Sequence, residues 1–129
     1  MISQTDFNQL RCDAYNDDPT RVGRVAARMP DPKRLENEAA ALKAVSDPTR
    51  LRILFALTHE PLCVCELSTL LSMSMPAVSH HLRLLADANF LTVKKEGKFA
   101  SYYLSDVAKS GPVRTVLDNL SCSLAGAVA

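Results

Sequence analysis

Two helical stripes, Leu67-Leu70-Leu71 and Val78-Leu82-Leu85, are separated by only Ser72-Met73-Ser74. Apolar residues at three- and four-residue spacing mark an amphipathic helix on each side. A three-residue link leaves no room for an intervening element, so the second helix must cross the first directly. Ser74 can cap that second helix and Pro76 suits its first turn. With Val78, Leu82 and Leu85 turned inward, Ser79, His80, Arg83 and Asp87 fall on the opposite face.

The flanking segments extend the pattern. Leu35, Ala39, Leu42 and Val45 form a helical stripe, which Ser46-Asp47-Pro48 stops. Asp47 and Pro48 restart a helix containing Leu51, Ile53, Leu54 and Leu57, and His59-Glu60-Pro61 ends it. A short helix over Cys63–Leu71 follows. After Asn89 the apolar period changes from helical to two: Leu91-Thr92-Val93-Lys94, a Glu96-Gly97 turn, then Phe99–Leu104. That is a β-hairpin with a basic tip of Lys94, Lys95 and Lys98. Gly111-Pro112 opens a last helix with Val113, Val116, Leu117, Leu120 and Leu124 on one face. Residues 1–30 read as a polar arm with one short helix starting at Asp18-Pro19, and residues 31–129 as the principal domain.

This order of elements is the plan of a winged helix-turn-helix, mainly α with a β-hairpin wing and α-helical dimerisation ends. A helix face of Ser, His and Arg suits base edges and phosphates, and a basic hairpin suits the DNA backbone or a minor groove. The expected DNA-contacting residues are Ser74, Ala77, Ser79, His80, Arg83, Lys94, Lys95 and Lys98. The net charge of +1 over 129 residues requires any basic surface to be local. With 47% apolar and 22% charged residues the chain can bury a core, which excludes disorder throughout. The apolar runs are too short to cross a bilayer, and the first residues lack the pattern of a signal peptide, so no membrane partner and a cytoplasmic location are expected.

Four cysteines in a reducing compartment are ligands or buried thiols before they are disulfides. Cys63 and Cys65 would diverge in mid-helix, but Cys63 after Pro61-Leu62 is not yet helical, so both sulfurs can converge. A helix start also presents free N–H groups and a positive dipole end, which favour thiolate. Taken alone, both residues read better as small buried apolar side chains than as ligands.

Cys12, on a polar arm, is either an incidental thiol or a third ligand; Cys122 is expected to pack. His80 and His81 diverge by about 100° on a helix and do not readily share an ion. His80 therefore reads as a DNA contact, His81 as structural, and His59 as a surface residue at a helix end. Met73 and Met75 read as turn-packing residues. No Cys-x-x-Cys and no acid–base partner supports a thiol enzyme.

Val45-Ser46-Asp47-Pro48-Thr49-Arg50-Leu51-Arg52-Ile53-Leu54, Leu62-Cys63-Val64-Cys65-Glu66-Leu67, Val78-Ser79-His80-His81-Leu82-Arg83-Leu84-Leu85 and Lys95-Glu96-Gly97-Lys98 with Tyr102-Tyr103-Leu104 occur in that order. Together they resemble the arsenical-repressor and metallothionein-repressor (ArsR/SmtB) family of metal-sensing repressors. The resemblance implies a homodimer that holds operator double-stranded DNA without metal and releases it when metal binds. It also implies ligation by Cys63 and Cys65, joined by Cys12 from the arm as in the cadmium/lead-responsive type. Soft thiolates exclude magnesium and calcium. Cd(II) or Pb(II) is the expected inducer, with As(III) or Zn(II), or a metal-free thiol redox response, as alternatives. The family's second site, on the last helix, has no histidine counterpart here, since no His follows His81.

Overall fold

The computed structural model describes residues 12, 14, 15 and 17–128, with side chains as far as Ser121. The expectations for the side chains of Cys122 and Leu124 lie outside the described residues. The chain forms two compact units that divide between Leu35 and Glu36.

In the first unit, Asp18 caps helix α1 (Pro19–Ala26) by accepting from the Thr20 and Arg21 N–H groups at 3.0 and 3.3 Å. These bonds satisfy donors that a helix start otherwise leaves open. Val22, Val25, Ala26 and Met29 line one exposed side of this helix, which buries none of its residues.

Helix α2 (Pro32–Val45) enters the second unit. Its buried side there is Ala41, Ala44 and Val45; of the Leu35–Ala39–Leu42–Val45 stripe read from the sequence, only Val45 is buried. Leu42 is 54% exposed. Two alanines and a valine face the core, and the larger leucines are left outside.

Asp47 caps helix α3 (Pro48–His59) through the Arg50 N–H at 3.0 Å. The Arg50 side chain reaches back to the Ala44 carbonyl at 2.6 Å and stands 3.4 Å from His81 Nδ1. One guanidinium thus ties the end of α2 to the next helix but two.

A two-residue strand β1 (Leu62–Cys63) precedes helix α4 (Val64–Leu71), which ends at Ser72 in the left-handed conformation, φ 54°. Ser74 then caps helix α5 (Met75–Asp87), its Oγ accepting from the Ala77 N–H at 3.3 Å. Strands β2 (Leu91–Glu96) and β3 (Phe99–Leu104) form the hairpin, and Gly97, φ +62°, supplies the turn conformation that other residues resist. The sheet order is β1-β3-β2, antiparallel throughout, with Leu62 opposite Tyr102 and Cys63 opposite Ser101. The helix expected over Cys63–Leu71 begins one residue later, at Val64, and Cys63 is the extended N-cap residue, not yet helical as its position after Pro61-Leu62 implies. Helix α6 (Gly111–Val128) closes the chain.

Ile53 and Leu54 of α3, Leu67 of α4, Val78, Leu82 and Leu85 of α5 and Leu117 of α6 form the fully buried centre. Burying each contributes about 1.5–3 kcal/mol. Phe90, Leu91 and Leu104 close the core at the base of the hairpin. Among the described residues no helix is long and apolar enough to cross a membrane.

Candidate nucleic-acid interface and thiol site

The helical period of α5 fixes its two faces. Val78, Leu82 and Leu85 are buried, while Ser79, His80, Arg83 and Asp87 are exposed. Arg83 Nη2 lies 3.4 Å from His80 Nδ1, one turn apart, so both side chains share one patch. Ala77 is half-buried, and Ser74 uses its oxygen as the helix cap. His81 is half-buried against Arg50, in keeping with its structural reading. His59 ends α3 on the surface, its ring edge-on to Phe55 at 5.1 Å.

The hairpin carries Lys94, Lys95 and Lys98, all exposed. Register separates the first two. Lys94 lies opposite Ser101 and holds its ammonium 4.9 Å from the centre of the Tyr103 ring. Lys95 lies opposite Ala100, on the other face of the strand pair. A cation over an aromatic ring gains about 0.5–1 kcal/mol at an exposed site.

The thiols sit at the opening of α4. Cys63 is extended (φ −89°, ψ 171°), half-buried, and donates its backbone N–H to Glu66 Oε1 at 3.0 Å. That bond, followed by one from the Cys63 thiol, holds the Glu66 carboxyl below its ordinary pKa. Cys65, one residue into the helix, is exposed and places Sγ 3.5 Å from Met75 Sδ. It borders a shallow depression shared with Glu66, Thr69 and Leu70. Cys12 is exposed in the unit that ends at Leu35.

Among the described residues no three His, Cys, Asp or Glu side chains gather around one point. The donors at the start of α4 are therefore two thiols with a thioether beside one of them, a soft set that fits a thiophilic ion and not a hard one. Met73 packs half-buried against the core, as read from the sequence. Met75 does not: it is 48% exposed and meets a sulfur ten residues earlier in the chain. No spacing rule signals that contact, although Ser74 and Pro76 do mark Met75 as the first residue of its helix.

Comparison with known proteins bears on both surfaces. The family model described as "Bacterial regulatory protein, arsR family" matches residues 47–93, from the cap of α3 into β2. A transcriptional repressor SmtB homolog of Synechocystis sp. is 37% identical over 82 residues, covering 64% of this chain and 62% of that protein. A cadmium resistance transcriptional regulatory protein CadC homolog of Staphylococcus aureus is 42% identical over 69 residues, covering 53% and 57%. The matches thus span about three-fifths of the length of these two relatives. Among solved structures, reduced HlyU from Vibrio cholerae N16961 is 33% identical with a TM-score of 0.59, covering 68% of this chain and 88% of that one.

Proposed function

The chain belongs to the arsR family of bacterial regulatory proteins, and on that premise we propose that it is a metal-responsive transcriptional repressor. In this reading it binds operator DNA as a metal-free homodimer and lets go when a soft ion binds its thiols. The observation that carries the reading is one of placement. The exposed Ser79–His80–Arg83 face follows, after one tight turn, a helix whose cap is Cys63 and whose second residue is Cys65.

Each part has its own chemistry. Arg83 offers a planar fork of donors suited to a guanine edge or a phosphate. His80, 3.4 Å away, limits the directions that fork can take. Ser79 and the Ser74 hydroxyl offer short donors for backbone oxygens, and Ala77 offers a small apolar surface for close approach. Lys94, Lys95 and Lys98 supply charge to the phosphate backbone.

A soft ion supplies strong bonds to thiolate sulfur; Cd(II) and Pb(II) are the expected inducers, with As(III) and Zn(II) as alternatives. Cys63 and Cys65 hold it from the start of α4, and Cys12 supplies a third thiol from the arm. The half-exposed Leu42, Val116 and Leu120 support a dimer through α2 and α6, with Val116 and Leu120 at 41% and 40% exposure. An apolar groove of about 970 Å³ that reaches Leu120, lined also by Leu51, Phe55, Leu62 and Leu70, adds to that surface.

A metal-free thiol response is the second reading. The likeness to reduced HlyU and the exposure of Cys65 favour it. Operator release measured with each of cadmium, lead, arsenite, zinc and peroxide separates the two: release by an ion under reducing conditions supports metal sensing, and release by peroxide alone supports thiol oxidation.

A further inference from the structure

The exposed thiol of Cys65 has another sulfur as its neighbour. Cys65 Sγ and Met75 Sδ stand 3.5 Å apart, and both residues are exposed. Two sulfurs each about 2.3 Å from one ion, and separated by that distance, subtend an angle of about 100°, close to tetrahedral. The pair is thus spaced as two ligands of a single ion are spaced, without movement of either backbone.

We propose that Met75 is a thioether ligand of the ion held by Cys65, so that the metal site extends onto the first residue of α5. This rests on the thiol-sensing reading above and sharpens it in two ways. It extends the ions the site would take to Cu(I) and Ag(I), because thioether sulfur is neutral and soft and is taken up by such ions far more readily than by Zn(II). It also supplies the link to DNA. Met75 lies between the Ser74 cap and Pro76, so an ion bound to its sulfur acts on the start of α5 directly.

The test uses the full-length reduced protein labelled with [methyl-13C]methionine and titrated with Ag(I) in the absence of DNA. The chain has four methionines, and Met75→Leu assigns the Met75 methyl signal by its disappearance. Alkylation rates of Cys63 and Cys65, read peptide by peptide, report in parallel whether the ion occupies the thiols. The expected result is a Met75 methyl shift that saturates with thiol protection while Met73 stays near its free position. Met75→Leu then loses Ag(I) affinity about tenfold, the scale on which even supporting residues of a metal site count, and keeps its Zn(II) affinity. Protected thiols with an unmoved Met75 signal and unchanged Ag(I) affinity in Met75→Leu overturn the thioether ligand and leave thiol sensing standing. Unprotected thiols overturn both.

Discussion

Cys63 stands opposite Ser101 in the antiparallel pairing of β1 with β3. One end of the Cys63-Val64-Cys65 motif is therefore bonded into the sheet that carries the basic hairpin. The other end touches the first residue of α5 through Cys65 and Met75. The motif sits between β3 and α5, in contact with each, and the proposed DNA contacts lie on α5 and on the hairpin that β3 completes, so a change of geometry at the thiols would act on the elements that carry them.

Arg83→Ala is expected to weaken operator binding by about 1–3 kcal/mol if its fork makes a bidentate base contact, with the loss concentrated at one base position. Alanine at Lys95 or Lys98 should instead weaken binding to all sequences alike and lower the salt slope by about one each. Lys94→Ala should also disturb Tyr103, whose ring it covers. Fluorescence anisotropy across a salt series reads all four; unchanged affinity and slope throughout would remove these residues from the interface.

Helix α3 depends on Asp47. The Arg50 N–H is the largest cause holding its carboxyl below the ordinary value; desolvation opposes this, and the Arg50 and His81 charges reinforce it. A carboxylate with a lowered folded pKa stabilises the fold above its unfolded value, near 4, and that contribution fades as pH falls through the folded value. Asp47→Ala should cost about 1 kcal/mol at pH 7, shrinking near pH 3. Urea unfolding at the two pH values checks it; an equal cost at both would show that the charge plays no part.

Much of this architecture is legible in the chain because its helix starts are written locally. Asp18-Pro19, Asp47-Pro48 and Ser74 before Pro76 each pair a capping side chain with a residue already set for the first turn, and each cap forms. The hairpin is legible from the change of period after Asn89. Strand β1 is not, because it is two residues long and its partner lies nearly forty residues later. The buried face of α2 is hidden for another reason: Leu35 and Leu42 are outward while Ala41, Ala44 and Val45 are inward, so the largest apolar residues point the wrong way. The Cys65–Met75 contact depends on how α4 crosses α5, which no local pattern encodes.

Ser72 ends α4 at φ 54°, a conformation in which a side chain costs about 1–2 kcal/mol and glycine very little. Ser72→Gly should therefore raise stability, with glycine's greater freedom in the unfolded chain holding the gain to about 1 kcal/mol. Thermal melting reads the change; a lower midpoint would mean that the Ser72 side chain makes a contact worth more than the strain.

The proposed dimer predicts that Leu120→Glu, which places a charge on a half-exposed apolar position of α6, shifts the protein towards monomer and weakens operator binding with it. Sedimentation velocity at micromolar concentration shows the shift. A wild-type protein that sediments only as monomer would contradict the dimer itself.

Metal-driven release from operator DNA tests the central claim most directly, compared between the wild type and the Cys63→Ser and Cys65→Ser variants under reducing conditions. The account predicts that all three bind operator alike without metal. Cadmium or lead should then weaken wild-type binding about 5–150-fold, the usual range of such coupling, and leave both serine variants on the DNA. Normal release from either variant with cadmium, lead, arsenite and zinc would place the sensing site elsewhere and contradict the account.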